Sequence, residues 1–492
     1  MKRLVFIFIG LVALLGAKAQ IVTTFDADAN GIQWIGKRWN PSDNNVTITG
    51  CATSAADLRG KVVIPATVTS GGKTYNVTHL QERSGNGFPQ PGGYSTPWDD
   101  TTPHDGLFGY SNVTEIELSE GLEEINGPFF GRMSRIKEIR IPASVKILWA
   151  TNFYHCDSLR RVIVSPNSQL YVDGDVGPFA FNSQLEYVDL GDANLTFIDT
   201  GMMSYADAHT LFYFRNECYL AEINNGTYGT RPRDVNVVNS TTKTCKNFIV
   251  YDGNDYFIPH AFTAEKASYD RVFSGTSSKT LYLPYPTDLP TGMVAYKLVN
   301  KDGASPQAPG YDHSFVFRAL PSGTRLEAYH PYLVCVTDGA PHTLPEMHNV
   351  EIGVTPDIQT TGQPATSSPS TWIFMGTTEK IENRTASNLN AYNIKDNVWY
   401  KIDKSVSSGH VAPFRAFVRG INGASLAKYF ALVLEDDENT PTAIENISET
   451  ENAIKSGKYP IYTIDGKNAG NDYSILKSGE IYIVNGKKFY KF

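Results

Sequence analysis

The sequence predicts a mostly β chain, in which a solenoid of short parallel strands is followed by an all-β, sandwich-like domain and a small C-terminal β tail. Three observations carry that expectation. One apolar pattern returns five times between residues 107 and 216, and a repeat of that length marks stacked supersecondary units. From 245 to 434, short runs rich in β-branched and aromatic residues are separated by Gly, Pro, Asn and Asp clusters, the texture of many short strands. The last stretch, 451–492, repeats that texture around Asn485-Gly486, a dipeptide suited to a two-residue hairpin turn.

The first element is no part of the fold. Residues 1–19 begin with Lys2 and Arg3, run apolar from 4 to 15 and end in Ala17-Lys18-Ala19 before Gln20, the layout of a secretory signal peptide cut after Ala19. No cysteine follows the apolar run where an acylated lipoprotein needs one. No later stretch reaches the ~18 apolar residues of a membrane-spanning helix. Residues 20–57 read as an N-terminal β segment. Within it Asp26, Asp28, Asn30 and Gly31 imitate the first half of a calcium loop, but Lys37 stands where a bidentate Glu is required. A turn ahead of a strand begun by Trp34 is the better reading.

Each repeat opens with a bulky apolar residue (Leu107, Phe130, Phe153, Phe179, Met202) and places another six residues later (Val113, Ile136, Leu159, Leu185, Ala208). A short strand follows, whose inward positions are Ile116 and Leu118, Ile139 and Ile141, Val162 and Val164, Val188 and Leu190, then Leu211 and Tyr213. The period is 23, stretched once to 26. A second apolar pair closes the return half of the coil: Leu122 and Ile125, Val145 and Leu148, Leu195 and Ile198. IPASV at 141–145 is nearly copied by IPATV at 64–68, so the array is placed at 58–216.

In the third unit, FYHCDSLRRVIV at 153–164 presents Phe, then Cys, then Ser-Leu, then a strand. This resembles the BspA-like leucine-rich repeats of secreted and surface proteins from Gram-negative anaerobes. Tyr110, Met133, Asn182 and Tyr205 stand in the other units where Cys156 sits, so the array is a degenerate one. The resemblance implies a leucine-rich-repeat solenoid, export, and a role in adhesion to host or matrix proteins or to other bacteria.

The stretch at 84–105, SGNGFPQPGGYSTPWDDTTPHD, interrupts the repeats. Its glycines and prolines make it a loop, and loops on rigid scaffolds are where recognition residues concentrate. Phe88, Tyr94 and Trp98 would offer apolar faces to a partner side chain or sugar ring, with Asp99 and Asp100 as acceptors. In the other reading these aromatics fold back and cap the open end of the solenoid.

Residues 217–244 are expected as a connector and 245–434 as the sandwich-like domain. Its strands are expected at 280–283, 294–299, 315–319, 332–336, 372–375, 398–402, 414–418 and 429–434, with an exposed polar connection at 360–371. The segment PFRAFV at 413–418 is similar to a module that follows such repeats in the same family. An acidic linker, 435–450, leads to the tail. IYTIDG at 461–466, GEIYIV at 479–484 and the basic end with Lys487, Lys488 and Lys491 resemble type IX secretion sorting domains, which implies display outside the outer membrane. A plain terminal hairpin accounts for the same residues.

A formal charge of -8 and a pI near 5.7 leave no electrostatic footprint for nucleic acid. Five cysteines make no disulfide scaffold; Cys218 and Cys245 could pair across the junction, and Cys156 reads as a buried thiol. His155-Cys156-Asp157 holds the residue types of a cysteine nucleophile, but chain neighbours do not converge in triad geometry. Asp173 and Asp175 read as a turn. The ten histidines lack zinc spacing, and no nucleophile elbow, P-loop or dinucleotide fingerprint appears. No catalytic, cofactor or metal residue is therefore assigned. The expected function is that of an exported, non-catalytic macromolecule-binding protein, its partner a protein or glycan on host, matrix or other bacterial cells. The alternatives are a glycan-binding accessory protein of surface polysaccharide capture and a structural cell-surface component.

Overall fold

In the computed structural model the described residues are 21–81, 107–215, 227–299, 313–357, 363–364, 371–436 and 460–490, less single residues and short stretches inside those spans. The leader at 1–19 and the whole candidate loop, with Phe88, Tyr94, Trp98, Asp99 and Asp100, lie outside them, as does most of 360–371 and of the linker.

Each repeat contributes two short strands, one to each of two parallel ladders. The front ladder runs Glu138–Ile141, Arg161–Val164, Tyr187–Leu190, Leu211–Phe214. Within the stretch expected as a connector, Val237–Asn239 pairs in parallel with Leu211–Phe214 and extends it. The back ladder runs Lys73–Gln81, Glu124–Asn126, Ile147–Leu148, Gln169–Val172, Asn194–Ile198. Between the ladders lie the inward residues of the sequence pattern, among them Ile139, Ile141, Val162, Val188 and Leu148, all buried in one continuous cluster. The bulky opening residues form a ladder of their own: the rings of Phe108, Phe130, Phe153 and Phe179 stack in turn at 6.1, 5.5 and 5.9 Å, within 9° of parallel. Phe108, not Leu107, therefore holds the first unit's opening position.

The fifth unit also departs from the expected register. Val188 and Leu190 pair with Phe212 and Phe214, and these two join the array core, whereas Leu211 and Tyr213 face the other way into a second cluster. Its opening residue is accordingly Met203, not Met202, and Ala206, not Tyr205, stands at the Cys156 position. The reason is local: all four residues of Leu211–Phe214 are apolar and buried, so alternation in the sequence carries no sign of which face is inward.

The N-terminal end of the array is closed by Ile21–Ala27, Gln33–Arg38 and Asn45–Cys51, which continue the back ladder's sheet. Trp34 is fully buried there, its ring edge-on to Phe108 at 6.3 Å. Asp28 organises the preceding turn: it accepts hydrogen bonds from the backbone N–H of Asn30 and Ile32 and from Trp34 Nε1. Thr67–Ser70 folds back on Lys73–Gln81 through Gly71 and Gly72, both at positive φ (59° and 76°), the backbone a two-residue hairpin turn requires.

Beyond Val237–Asn239 the front sheet continues through Thr244–Val250, Phe262–Tyr269 and Met347–Ile352. The strands expected in the second half are present. They form one ten-stranded sheet, whose first strand, Lys279–Leu281, returns beside Arg415–Gly420 through the Tyr282 N–H to Phe414 carbonyl hydrogen bond. Trp372, Trp399, Phe315, Phe317 and Phe374 fill its interior. A short helix, Asn383–Asn388, sits on the same domain. The tail is a four-stranded antiparallel sheet in which Ile481–Val484 and Lys487–Tyr490 pair either side of Asn485-Gly486.

Candidate interaction surface and cleft

The outward side chains of the front strands change character along the array. In Arg59–Ile64, Asn112–Leu118 and Glu138–Ile141 they are the half-buried Val63 and the charged Lys61, Glu115, Glu117, Glu138 and Arg140, with Lys61 paired to both Glu115 (2.9 Å) and Glu117 (2.6 Å) and Arg140 to Glu138 (2.7 Å). In the next strand they are Arg161 and Ile163, half-buried; then Tyr187 and Asp189; then Leu211 and Tyr213, buried. Tyr187, Leu211 and Tyr213 share a cluster with Phe248, Tyr256, Phe262 and Tyr285. The C-terminal half of the front face is thus covered by the β domain. Among the described residues the N-terminal half stays solvated.

Where the cover ends, a cleft of about 720 Å³ lies between the two parts. Lys137, Glu138, Arg160 and Arg161 line it from the array, and Phe257, Tyr282, Pro356, Ile381 and Leu389 supply an apolar floor from the β domain. Its back wall is a charge cluster. Glu186 is fully buried and accepts hydrogen bonds from Arg160 Nη1 (2.6 Å) and Arg161 Nε (3.1 Å). Arg160 also donates to Asp255 (2.7 Å) and Arg161 to Glu379 (3.0 Å), so both arginines tie the array to the β domain. Burial, reinforced by the Glu379 charge, pushes the Glu186 carboxyl up to about 7 against the pull of Arg161 and Arg160. One further tie lies nearby, His260 Nε2 contacting Asp189 at 2.8 Å; within the β domain Arg415 pairs with Asp252, whose carboxyl it holds below the usual range despite partial burial.

Another repeating surface feature escaped the sequence reading. Arg132, His155, Phe181 and Tyr205 occupy one equivalent position of successive units, and all four have left-handed backbone, with φ between 52° and 60°. Their part-exposed rings form a ladder: His155 stacks on Phe181 at 5.1 Å and Phe181 on Tyr205 at 4.9 Å. Non-glycine residues are uncommon in that conformation, and planar side chains recurring two residues after each opening residue were the available signal. The adjoining positions are structural. Asn182 donates to the carbonyls of Phe153 and Phe179, and Cys156 Sγ donates to that of Phe130. In these two units Cys and Asn each donate to the carbonyl of the preceding unit's opening residue. Burial pushes the Cys156 thiol up to about 12, which keeps it protonated. Cys245 is buried, while Cys218 lies outside the described residues. Among the described residues no group of His, Cys, Asp or Glu is placed to hold a metal ion, and no helix is long and apolar enough to cross a membrane.

Comparison with known proteins bears on the array. No curated protein sequence matches the chain. The crystal structure of the pneumococcal vaccine antigen PcpA is similar at 16% identity over 48% of this chain and 60% of that one, with a TM-score of 0.26, too slight a likeness to bear on fold or function. The family model of the BspA type leucine rich repeat region matches in six copies over 101–228, the span that holds most of the two ladders and the whole phenylalanine stack. Those residues are a BspA-type leucine-rich repeat region.

Proposed function

We propose that this is an exported, non-catalytic binding protein that engages a macromolecule, foremost a host or matrix protein, through the open half of its front face and the adjoining cleft. The observation that carries the reading is the contrast between the two ends of the front face: among the described residues, Tyr187, Leu211 and Tyr213 are buried under the β domain, whereas Lys61, Glu115, Glu117 and Arg140 are solvated. Paired charges around an apolar-floored depression make a polar rim beside an anchor site, the anatomy of a protein interface. The loop at 84–105 is proposed as a second contact, through Phe88, Tyr94, Trp98, Asp99 and Asp100. Its support is topological, since the chain leaves it at Leu107 and enters the open strand Asn112–Leu118 directly. Export by the leader and display through the tail complete the proposal.

The test is binding of the chain from Gln20 onward to a panel of extracellular-matrix proteins and a glycan array. Alongside run a charge swap, Glu117→Lys with Arg140→Glu, and the variant Trp98→Ala. Saturable binding to a protein, weakened about tenfold by the swap (~1.4 kcal/mol), supports adhesion. A glycan signal lost in Trp98→Ala would replace it with carbohydrate capture, and self-association without any foreign ligand would replace it with a structural role.

A further inference from the structure

We propose that the cleft is a socket for one apolar side chain, of leucine to tryptophan size, carried by a partner protein on a segment with charges of both signs. The inference rests on the protein-binding reading above and specifies its anchor. About 720 Å³ falls in the range of sites that enclose a ligand group. The floor, however, has no spare aromatic face. Phe257 is sandwiched between the Arg161 guanidinium, 4.0 Å from the ring centre, and the Tyr187 ring at 6.0 Å. Tyr282 lies against Gly376 so closely that a Cβ there would fall 1.8 Å from the ring, and it meets the Tyr329 ring edge-on at 5.8 Å.

A sugar would need a free ring face and convergent polar groups to orient its hydroxyls. Two of the wall hydroxyls are already committed: Thr355 Oγ1 accepts from the Ile258 N–H, and Thr377 Oγ1 donates to the Glu379 carbonyl and accepts from the Glu379 N–H. The floor offers apolar surface from Pro356, Ile381 and Leu389 beside those ring edges. Around it stand Lys137 and Lys380 with Glu138, Asp357 and Glu382, of which Lys380 pairs with Glu382 at 3.0 Å and Glu138 with Arg140 at 2.7 Å. A segment of single charge sign would meet like charges on this rim, whereas a mixed segment can set each charge against its opposite.

The experiment selects a displayed random-peptide library on the chain from Gln20 onward. Selected peptides are then measured on wild type, on Thr385→Trp, which fills the cleft from an exposed position of the short helix, and on Thr385→Ala, which leaves it open. We expect enriched peptides to share one large apolar residue flanked by both charge signs. Their affinity should fall at least tenfold on Thr385→Trp, should survive Thr385→Ala, and should be lost when the apolar residue is changed to Ala. Undiminished binding to Thr385→Trp, failure of any peptide to enrich, or a glycan that competes for the cleft overturns the socket. If peptides ignore Thr385→Trp but lose binding to the Glu117/Arg140 charge swap, the protein-binding reading stands and the socket alone falls.

Discussion

Replacing Glu186 by Gln should make the protein more stable above neutral pH. Glu186 sits at the junction of array and β domain, with no solvent exposure and two arginine donors. Burial first, and the Glu379 charge second, raise its carboxyl from 4.5 to about 7. Over that window the folded chain keeps a proton that the unfolded chain has lost, so stability falls as pH rises from 4.5 to 7; a gap of that size corresponds to about 3 kcal/mol. Below 4.5 both states are protonated, and Gln is close to a neutral Glu. Going from pH 4 to pH 8, the wild type should therefore lose about 3 kcal/mol relative to Glu186→Gln. Urea midpoints and slopes at several pH values, followed by intrinsic fluorescence, measure the difference. Glu379→Gln removes the neighbouring negative charge and should shrink it. If Glu186→Gln is instead weaker at pH 8 by the ~3–5 kcal/mol of a broken buried ion pair, the arginines outweigh burial and the reasoning is refuted.

Val162 is fully buried between the ladders, and Val162→Asp would place an unpaired charge there; a loss above ~4 kcal/mol, read as collapse of the cooperative transition, is expected. The Cys156 thiol, buried and raised to about 12, should resist alkylation at pH 8 until the chain unfolds, and Cys156→Ala should cost ~1–3 kcal/mol by leaving the Phe130 carbonyl without its donor. Phe181→Gly and Phe181→Ala both lose three ring contacts, but only Gly relieves the φ of 60°, so Gly should be the more stable of the two by ~1 kcal/mol in chemical denaturation.

Much of the array was legible because a repeat writes each contact several times. Ile139 and Ile141 flank Arg140, and Val188 and Leu190 flank Asp189, while Val162 and Val164 follow Arg161 at the same repeat positions, and the structure puts all six inside. Legibility failed where a second layer of protein removed that contrast. Leu211–Phe214 is buried on both faces, and the same all-apolar run that hid its register was the trace of the covering domain. Trp34 could be recognised as a core residue, but nothing local revealed that it closes the array end, since that depends on sheet order. The same limit applied to the second half: individual strands such as Tyr332–Val336 and Arg415–Gly420 are set by local composition, whereas their arrangement in one ten-stranded sheet comes from pairings distant in sequence. The charge cluster was equally hidden, because Arg160 and Arg161 meet Asp255 and Glu379 only across the junction.

The central claim, that the open half of the front face contacts the partner, is tested most directly by site-specific photo-cross-linking. A photoreactive phenylalanine analogue is placed at Glu117 on the open face or at Glu265, an exposed position of Phe262–Tyr269, and each chain is irradiated with the matrix protein it binds. The expected result is a cross-linked adduct from position 117 and none from 265. Binding that persists while 117 stays silent and 265 cross-links would contradict the account.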